Sequence, residues 1–212
     1  AVDGMVRVYL SSLGTPSTLT LTISGSYSLS TGSSLTSGET VTVGFSSSSG
    51  AITLTRNGVK TNMGTYFALK RHSTTGTNGI LIAQARKPAN PYPGDISFQS
   101  VQLSTGSYKL YTVAHINIES YLYGVLPYEM GSSAPAEALK AQAILARTFT
   151  LNFLSTKESK HEGADISTDV EEAQAYDASA INDAVKQAVN ETRGVVMSYK
   201  GELPIAWFHA DA

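Results

Sequence analysis

The stretch ESYLYGVLPYEMGSSAPAEALKAQAILARTFT, Glu119 to Thr150, decides how this chain is read. Ile118, Tyr121, Leu122 and Val125 recur at helical spacing, so Asn117 to Val125 predicts a short amphipathic helix, ended by Gly124 and Pro127. Glu129 then falls on a proline-bounded turn. Pro135 sits where a helix first turn tolerates proline, and Glu137 behind it complements the helix dipole. This second helix is expected to run to about Leu154. Leu139, Ala143, Ala146, Thr150 and Phe153 form one of its faces, and Glu137, Lys140, Ile144 and Arg147 another. Ala136, Ala138, Ala141, Ala143 and Ala146 let other backbone come close. A lone carboxylate facing a cationic helix stripe is a candidate acid/base site.

Upstream, from Met5 to about Ile118, the chain is poor in charge and rich in Ser, Thr and Gly. Apolar residues nevertheless alternate in VRVYL (Val6 to Leu10) and LTLTI (Leu19 to Ile23), which argues folded strands rather than a low-complexity stalk. Further strands are expected at Thr40 to Phe45, Ala51 to Leu54, Ile80 to Ala83, Ile96 to Val101 and Tyr108 to Ala114. Turns are signalled at Ser24-Gly25, Asn57-Gly58 and Thr105-Gly106, with Asn-Gly the strongest because a type I′ turn needs positive φ at both central residues. The prolines between Lys87 and Gly94 lack ladder donors and mark a loop.

Downstream, Lys157 to Asp177 is acidic and unpatterned, ending in Gln174-Ala175-Tyr176. A third helix is expected behind an N-cap at Ser179, with Ile181, Ala184, Val185, Ala188, Val189 and Thr192 on one side and Gly194 past its end. VVMSY and ELPIAWFHA read as strands joined at Lys200-Gly201. The fold class expected is α+β: helices packed on a sheet in a mixed core over residues 116–212, with a β-rich region over residues 1–115 whose first strand joins that core.

A length of 212 residues with 42% hydrophobic content suffices for a real core, and 15 Lys+Arg against 17 Asp+Glu leave a net charge of -2. No block of like charge points to nucleic acid. The absence of cysteine removes disulfides, thiolate catalysis and cysteine-based zinc sites. Because the chain opens on Ala1 and stops within the apolar pattern WFHADA, more chain is expected in the natural protein, including an export signal or anchor.

YLYGVLPYEM, then EALKAQAILARTF, AQAYDA, TRGVVMSYKG and PIAWFHADA, in this order, resemble the SpoIID/LytB family of sporulation proteins and amidase enhancers over roughly Ile116 to Ala212. The resemblance implies an extracytoplasmic lytic transglycosylase, which cuts the bond between N-acetylmuramic acid and N-acetylglucosamine in peptidoglycan without water and leaves an anhydro-muramoyl end. It also implies that Glu129 is the catalytic acid and that Lys140 and Arg147 are its site partners. Some members bind zinc through Cys and His before the Q-x-Y motif. Here Ala173 precedes Gln174, so neither metal nor other cofactor is expected. The partners implied are glycan strands, with a cell-wall amidase or a membrane anchor besides.

Chemically, a glycosidic oxygen leaves only when protonated, which asks for a carboxyl with a raised pKa; Leu126, Tyr128 and Met130 flank Glu129 in the right sense. After cleavage the same group, now ionised, deprotonates the sugar's hydroxymethyl, which closes on the anomeric carbon. Glu119 leaves a two-carboxylate hydrolase open. The expected substrate-binding set is Lys140, Gln142, Arg147, Gln174 and Tyr176. The competing readings are an ion pair to Glu137 for Lys140, burial for Arg147, a core position for Tyr176, a structural role for His209, and a solvated loop for His161, Asp165, Asp169, Glu171 and Glu172. Tyr66, Phe67, Tyr92, Tyr108 and Tyr111 either stack on sugars or pack in the core. The alternative function is a non-catalytic glycan-binding enhancer of a cell-wall amidase.

Overall fold

The computed structural model describes residues 4–72, 78–85, 91–131, 133–156, 164, 166–167 and 176–204. Its elements run β1 (Met5–Tyr9), β2 (Thr18–Ser24), β3 (Tyr27–Leu29), β4 (Ser34–Leu35), β5 (Thr40–Phe45), β6 (Ile52–Arg56), β7 (Val59–Gly64), β8 (Tyr66–Arg71), β9 (Gly79–Ile82), β10 (Asp95–Gln102), β11 (Tyr108–Asn117), α1 (Ile118–Met130), α2 (Ala136–Thr156), β12 (Ile166–Ser167) and α3 (Asp183–Glu191). The protein is α+β. One sheet of seven strands has the order β12-β1-β11-β10-β8-β3-β4, and a second of five has the order β7-β6-β5-β2-β9. Pairing is antiparallel except between β1 and β12.

The Ser/Thr-rich segment folds because its alternation is obeyed. Leu19, Leu21 and Ile23 of β2 are at most 1% exposed, and at roughly 1.5–3 kcal/mol each such burial outweighs anything a solvated stalk offers. Val41, Val43, Ile52 and Leu54 join them from β5 and β6, and Phe67, Leu69, Ile96 and Phe98 from the larger sheet, in one continuous apolar cluster. At the β6–β7 turn Asn57 and Gly58 both have positive φ, 51° and 77°, as the Asn-Gly signal requires.

The larger sheet presents the helices. β11 lies between β1 and β10 and runs directly into α1, with no intervening loop, because Asn117 caps the helix through Oδ1 accepting from the Glu119 N–H at 2.9 Å. Ile118, Tyr121, Leu122, Val125 and Leu126 then join the core, as do Leu139, Ala143, Ala146 and Phe153 of α2 and Val185, Ala188 and Val189 of α3.

Three expectations are corrected. First, α1 does not end at Gly124 and Pro127: it continues to Met130 and closes at Gly131, whose φ is 69° and whose N–H donates to the Pro127 carbonyl at 3.0 Å. Pro127 deprives only the preceding turn of one donor, and with a single turn left that cost is tolerated. Secondly, Ser179 sits in a short 3-10 turn (Ala178–Ala180) capped by Asp177, and the cap of α3 is Asn182, whose Oδ1 accepts from the Val185 N–H at 3.0 Å. Thirdly, Val195 to Ser198 lie in no strand; Tyr199 and Glu202 form an isolated bridge around Lys200 and Gly201, both at positive φ. Residues beyond 204 lie outside the described residues, His209 among them, as do His161, Asp165, Asp169, Glu171 and Glu172.

Candidate active site

Continuing α1 to Met130 puts Glu129 on its last turn. The apolar stripe Ile118, Tyr121 and Leu122, Val125 recurs every three to four residues, and Glu129 takes its next place, four residues past Val125. A carboxyl therefore occupies the end of a buried stripe. Burial of this half-buried side chain holds the carboxyl above the ordinary glutamate value of 4.5, and no cation among the described residues pulls it back. Two turns earlier Tyr121 is fully buried, and its phenol is pushed up by burial and by the charge of Glu129.

Tyr176 completes this end. Its ring lies nearly flat on Tyr121, with centroids 5.6 Å and planes 8° apart, and reaches Tyr92 at 6.4 Å. The hydroxyl of Tyr176 is buried with no hydrogen-bond partner among the described residues. Gly124 makes room for the ring, since a Cβ there lies 2.4 Å from Tyr176 Cε2, and the Asp177 N–H anchors the segment on the Gly124 carbonyl at 3.0 Å. Glu129 thus stands within electrostatic reach of Tyr121, on whose buried ring Tyr176 stacks. One signal in the sequence could have pointed to this: tyrosine at a helical position, 121, where aliphatic residues are the norm.

The cationic stripe of α2 points elsewhere. Lys140 and Arg147, seven residues apart, lie within about 20° of each other around the axis, while Gln142 lies about 200° from Lys140 and is half-buried. Lys140 Nζ bridges Glu137 at 3.0 Å and Glu191 of α3 at 2.7 Å. Arg147 is 1% exposed and grips the carboxylate of Glu119 with two nitrogens, Nε to Oε1 at 3.0 Å and Nη2 to Oε2 at 2.7 Å. Its Nη1 donates to the Val195 carbonyl at 2.8 Å, and the Gly194 N–H donates to Glu119 Oε1 at 3.2 Å. Arg147 therefore ties α1, α2 and the turn after α3 together, and its partner is the glutamate at the start of α1 rather than the one at its end. Gln174 lies outside the described residues.

The two glutamates of α1 stand ten residues apart, about 15 Å along the axis. Carboxyl pairs of hydrolytic glycosidases are separated by roughly 5–9.5 Å. Glu119 is in any case committed to Arg147. Asp177, whose charge acts on Tyr92 and Tyr176, spends Oδ1 on the Ser179 N–H at 2.9 Å.

Residues 107–199, which contain α1, α2, α3 and both glutamates, match the family described as SpoIID, stage II sporulation protein, and this segment belongs to that family. Among relatives, an uncharacterized protein of Brachyspira hyodysenteriae is 37% identical over 102 residues, covering 46% of this chain and 26% of its own. An amidase enhancer of Bacillus subtilis is 35% identical over 82 residues, covering 39% of this chain and 10% of its own. The match thus spans about a quarter or less of either relative. Among the described residues no helix is long and apolar enough to cross a membrane.

Proposed function

We propose that the protein acts outside the cytoplasm on the bacterial cell wall, as a lytic transglycosylase of peptidoglycan glycan strands with Glu129 as its single acid and then base. Membership of the SpoIID family and likeness to an amidase enhancer support the cell-wall role. The observation that carries the chemistry is the state of Glu129: a half-buried carboxyl, held protonated to higher pH by burial, with no cation among the described residues opposing that shift. Protonated, it gives its proton to the glycosidic oxygen as the bond from the anomeric carbon breaks. The resulting carboxylate takes the proton of the muramoyl hydroxymethyl, whose oxygen bonds to the anomeric carbon. The proton donated and the proton recovered balance, and no water enters.

The distance between the two α1 glutamates and the engagement of Glu119 by Arg147 favour this single-carboxyl route over hydrolysis. Tyr121 and Tyr176 serve as the wall that dries Glu129. Lys140 is assigned to an ion pair between α2 and α3, through Glu137 and Glu191, away from Glu129. Arg147 is assigned to holding the helices in place.

The test is digestion of purified glycan strands, with and without stem peptides, followed by mass analysis. Wild type is expected to release anhydro-muramoyl ends and Glu129→Gln to lose at least about a hundredfold in rate while still binding glycan. Binding without any release, by wild type on either substrate, contradicts the enzyme and supports a glycan-holding partner of a cell-wall amidase, the reading favoured by the name of the Bacillus subtilis relative.

A further inference from the structure

At the end of β11 far from α1, about 30 Å along the strand, the ends of β5, β10 and β11 and the entry to β2 enclose a cleft of about 450 Å³. Its walls are tied to one another. The Phe45 N–H donates to the Ser17 carbonyl at 2.9 Å, the Tyr108 N–H to Ser47 at 2.7 Å and the Leu103 N–H to Ser107 at 2.7 Å. The Tyr108 ring is seated where residue 50 has no side chain: a Cβ on Gly50 lies 2.5 Å from Tyr108 Cδ1. A cleft of this size with fixed walls suits a small ligand without reorganisation.

The lining defines the ligand's chemistry. Half-buried Phe45 and Tyr108 offer aromatic faces, Leu103 a partly exposed apolar edge, and Ser17, Ser47 and Ser107 neutral hydroxyls. Among the described residues no carboxylate lines the cleft. Its cation, Lys109, holds its ammonium over the rings of Tyr9 and Tyr111, 5.4 and 5.2 Å from their centroids. An anion such as phosphate finds no dedicated donors here, whereas a sugar finds ring faces for its C–H edge, hydroxyls for its own, and Leu103 for an acetamido methyl. We propose that this cleft is a second glycan site, binding an N-acetylated sugar of a strand at a distance from Glu129. The proposal rests on the glycan substrate argued above, and its ligand class is uncharged N-acetylhexosamine units.

The probe is an oligomer of four N-acetylglucosamine units, titrated into isotope-labelled full chain while backbone amide shifts are followed. The amides of Ser47, Leu103 and Ser107 are expected to move, in wild type and in Glu129→Gln alike. Ser47→Trp fills the cleft from an exposed position, and Leu103→Asp places a charge on its apolar edge; each is expected to weaken this binding about tenfold, equivalent to about 1.4 kcal/mol. Unaltered affinity in both folded variants, or shifts confined to the Glu129 end, overturns the proposal. The same titration separates it from the catalytic reading: shifts at the cleft without any strand cleavage leave this site standing alone, and cleavage without such shifts leaves only the enzyme.

Discussion

Helix α1 carries a glutamate at each end, and the two live in opposite surroundings. Glu119 is 6% exposed, gripped by two nitrogens of Arg147 and approached by the Gly194 N–H. Glu129 is half-buried beside Tyr121, with burial raising its carboxyl and no cation among the described residues in opposition. One helix thus separates a carboxylate whose charge is used to hold three helices from a carboxyl that burial alone raises, the one proposed above as the acid.

Breaking the Glu119 end is expected to have the largest effect. Arg147→Met leaves Glu119 buried without its partner and is expected to cost about 3–5 kcal/mol in chemical denaturation. Adding Glu119→Gln in the same chain should recover part of that loss, since the charge left behind is then gone. If the single variant melts like wild type, the clamp is not structural. In the middle of the helix, Gly124→Ala drives a Cβ toward the Tyr176 ring, and about 1–3 kcal/mol is expected to be lost in the same assay.

The Glu129 end should respond with the opposite sign. A carboxyl whose native pKa is raised binds its proton more tightly folded than unfolded, so its contribution is fully present below the ordinary value of 4.5 and is lost as pH rises through the raised one. Glu129→Gln, which has no charge to bury, is therefore expected to melt slightly higher than wild type at neutral pH and to match it at pH values below 4.5. A variant that melts lower at neutral pH contradicts the raised carboxyl. The smallest change is expected for Lys140→Met, whose bridge to Glu137 and Glu191 stands in solvent: no resolvable shift in melting at physiological salt. A large shift there would make the α2 stripe part of the clamp.

Local pattern made much of this legible. Alternation located β1, β2, β5, β6, β9, β10 and β11, and helical spacing picked out the buried face of α2, from Leu139 to Phe153. The strands it passed over lack a pattern for physical reasons. β7, VKTNMG, is an edge strand with nearly every side chain in water; β8 buries Phe67, Ala68 and Leu69 in succession between two neighbours; β3 and β4 are too short for a period to show. The surroundings of the candidate residues were legible by type and not by pairing. Glu129 on a raised carboxyl followed from its apolar neighbours, and Lys140 with Glu137 from helical spacing. The union of Arg147 with Glu119, 28 residues away, belongs to tertiary packing that no local rhythm encodes. Gly124 misled for a related reason: it reads as a helix stop, but the ring that needs its bare Cα arrives from Tyr176.

The central claim, that Glu129 cuts glycan alone and without water, is tested most directly by digesting purified glycan strands in water enriched in heavy oxygen and weighing the new ends. The account predicts anhydro-muramoyl ends carrying no label, absent when Glu129→Gln replaces wild type. Reducing muramic ends that carry one heavy oxygen would contradict it.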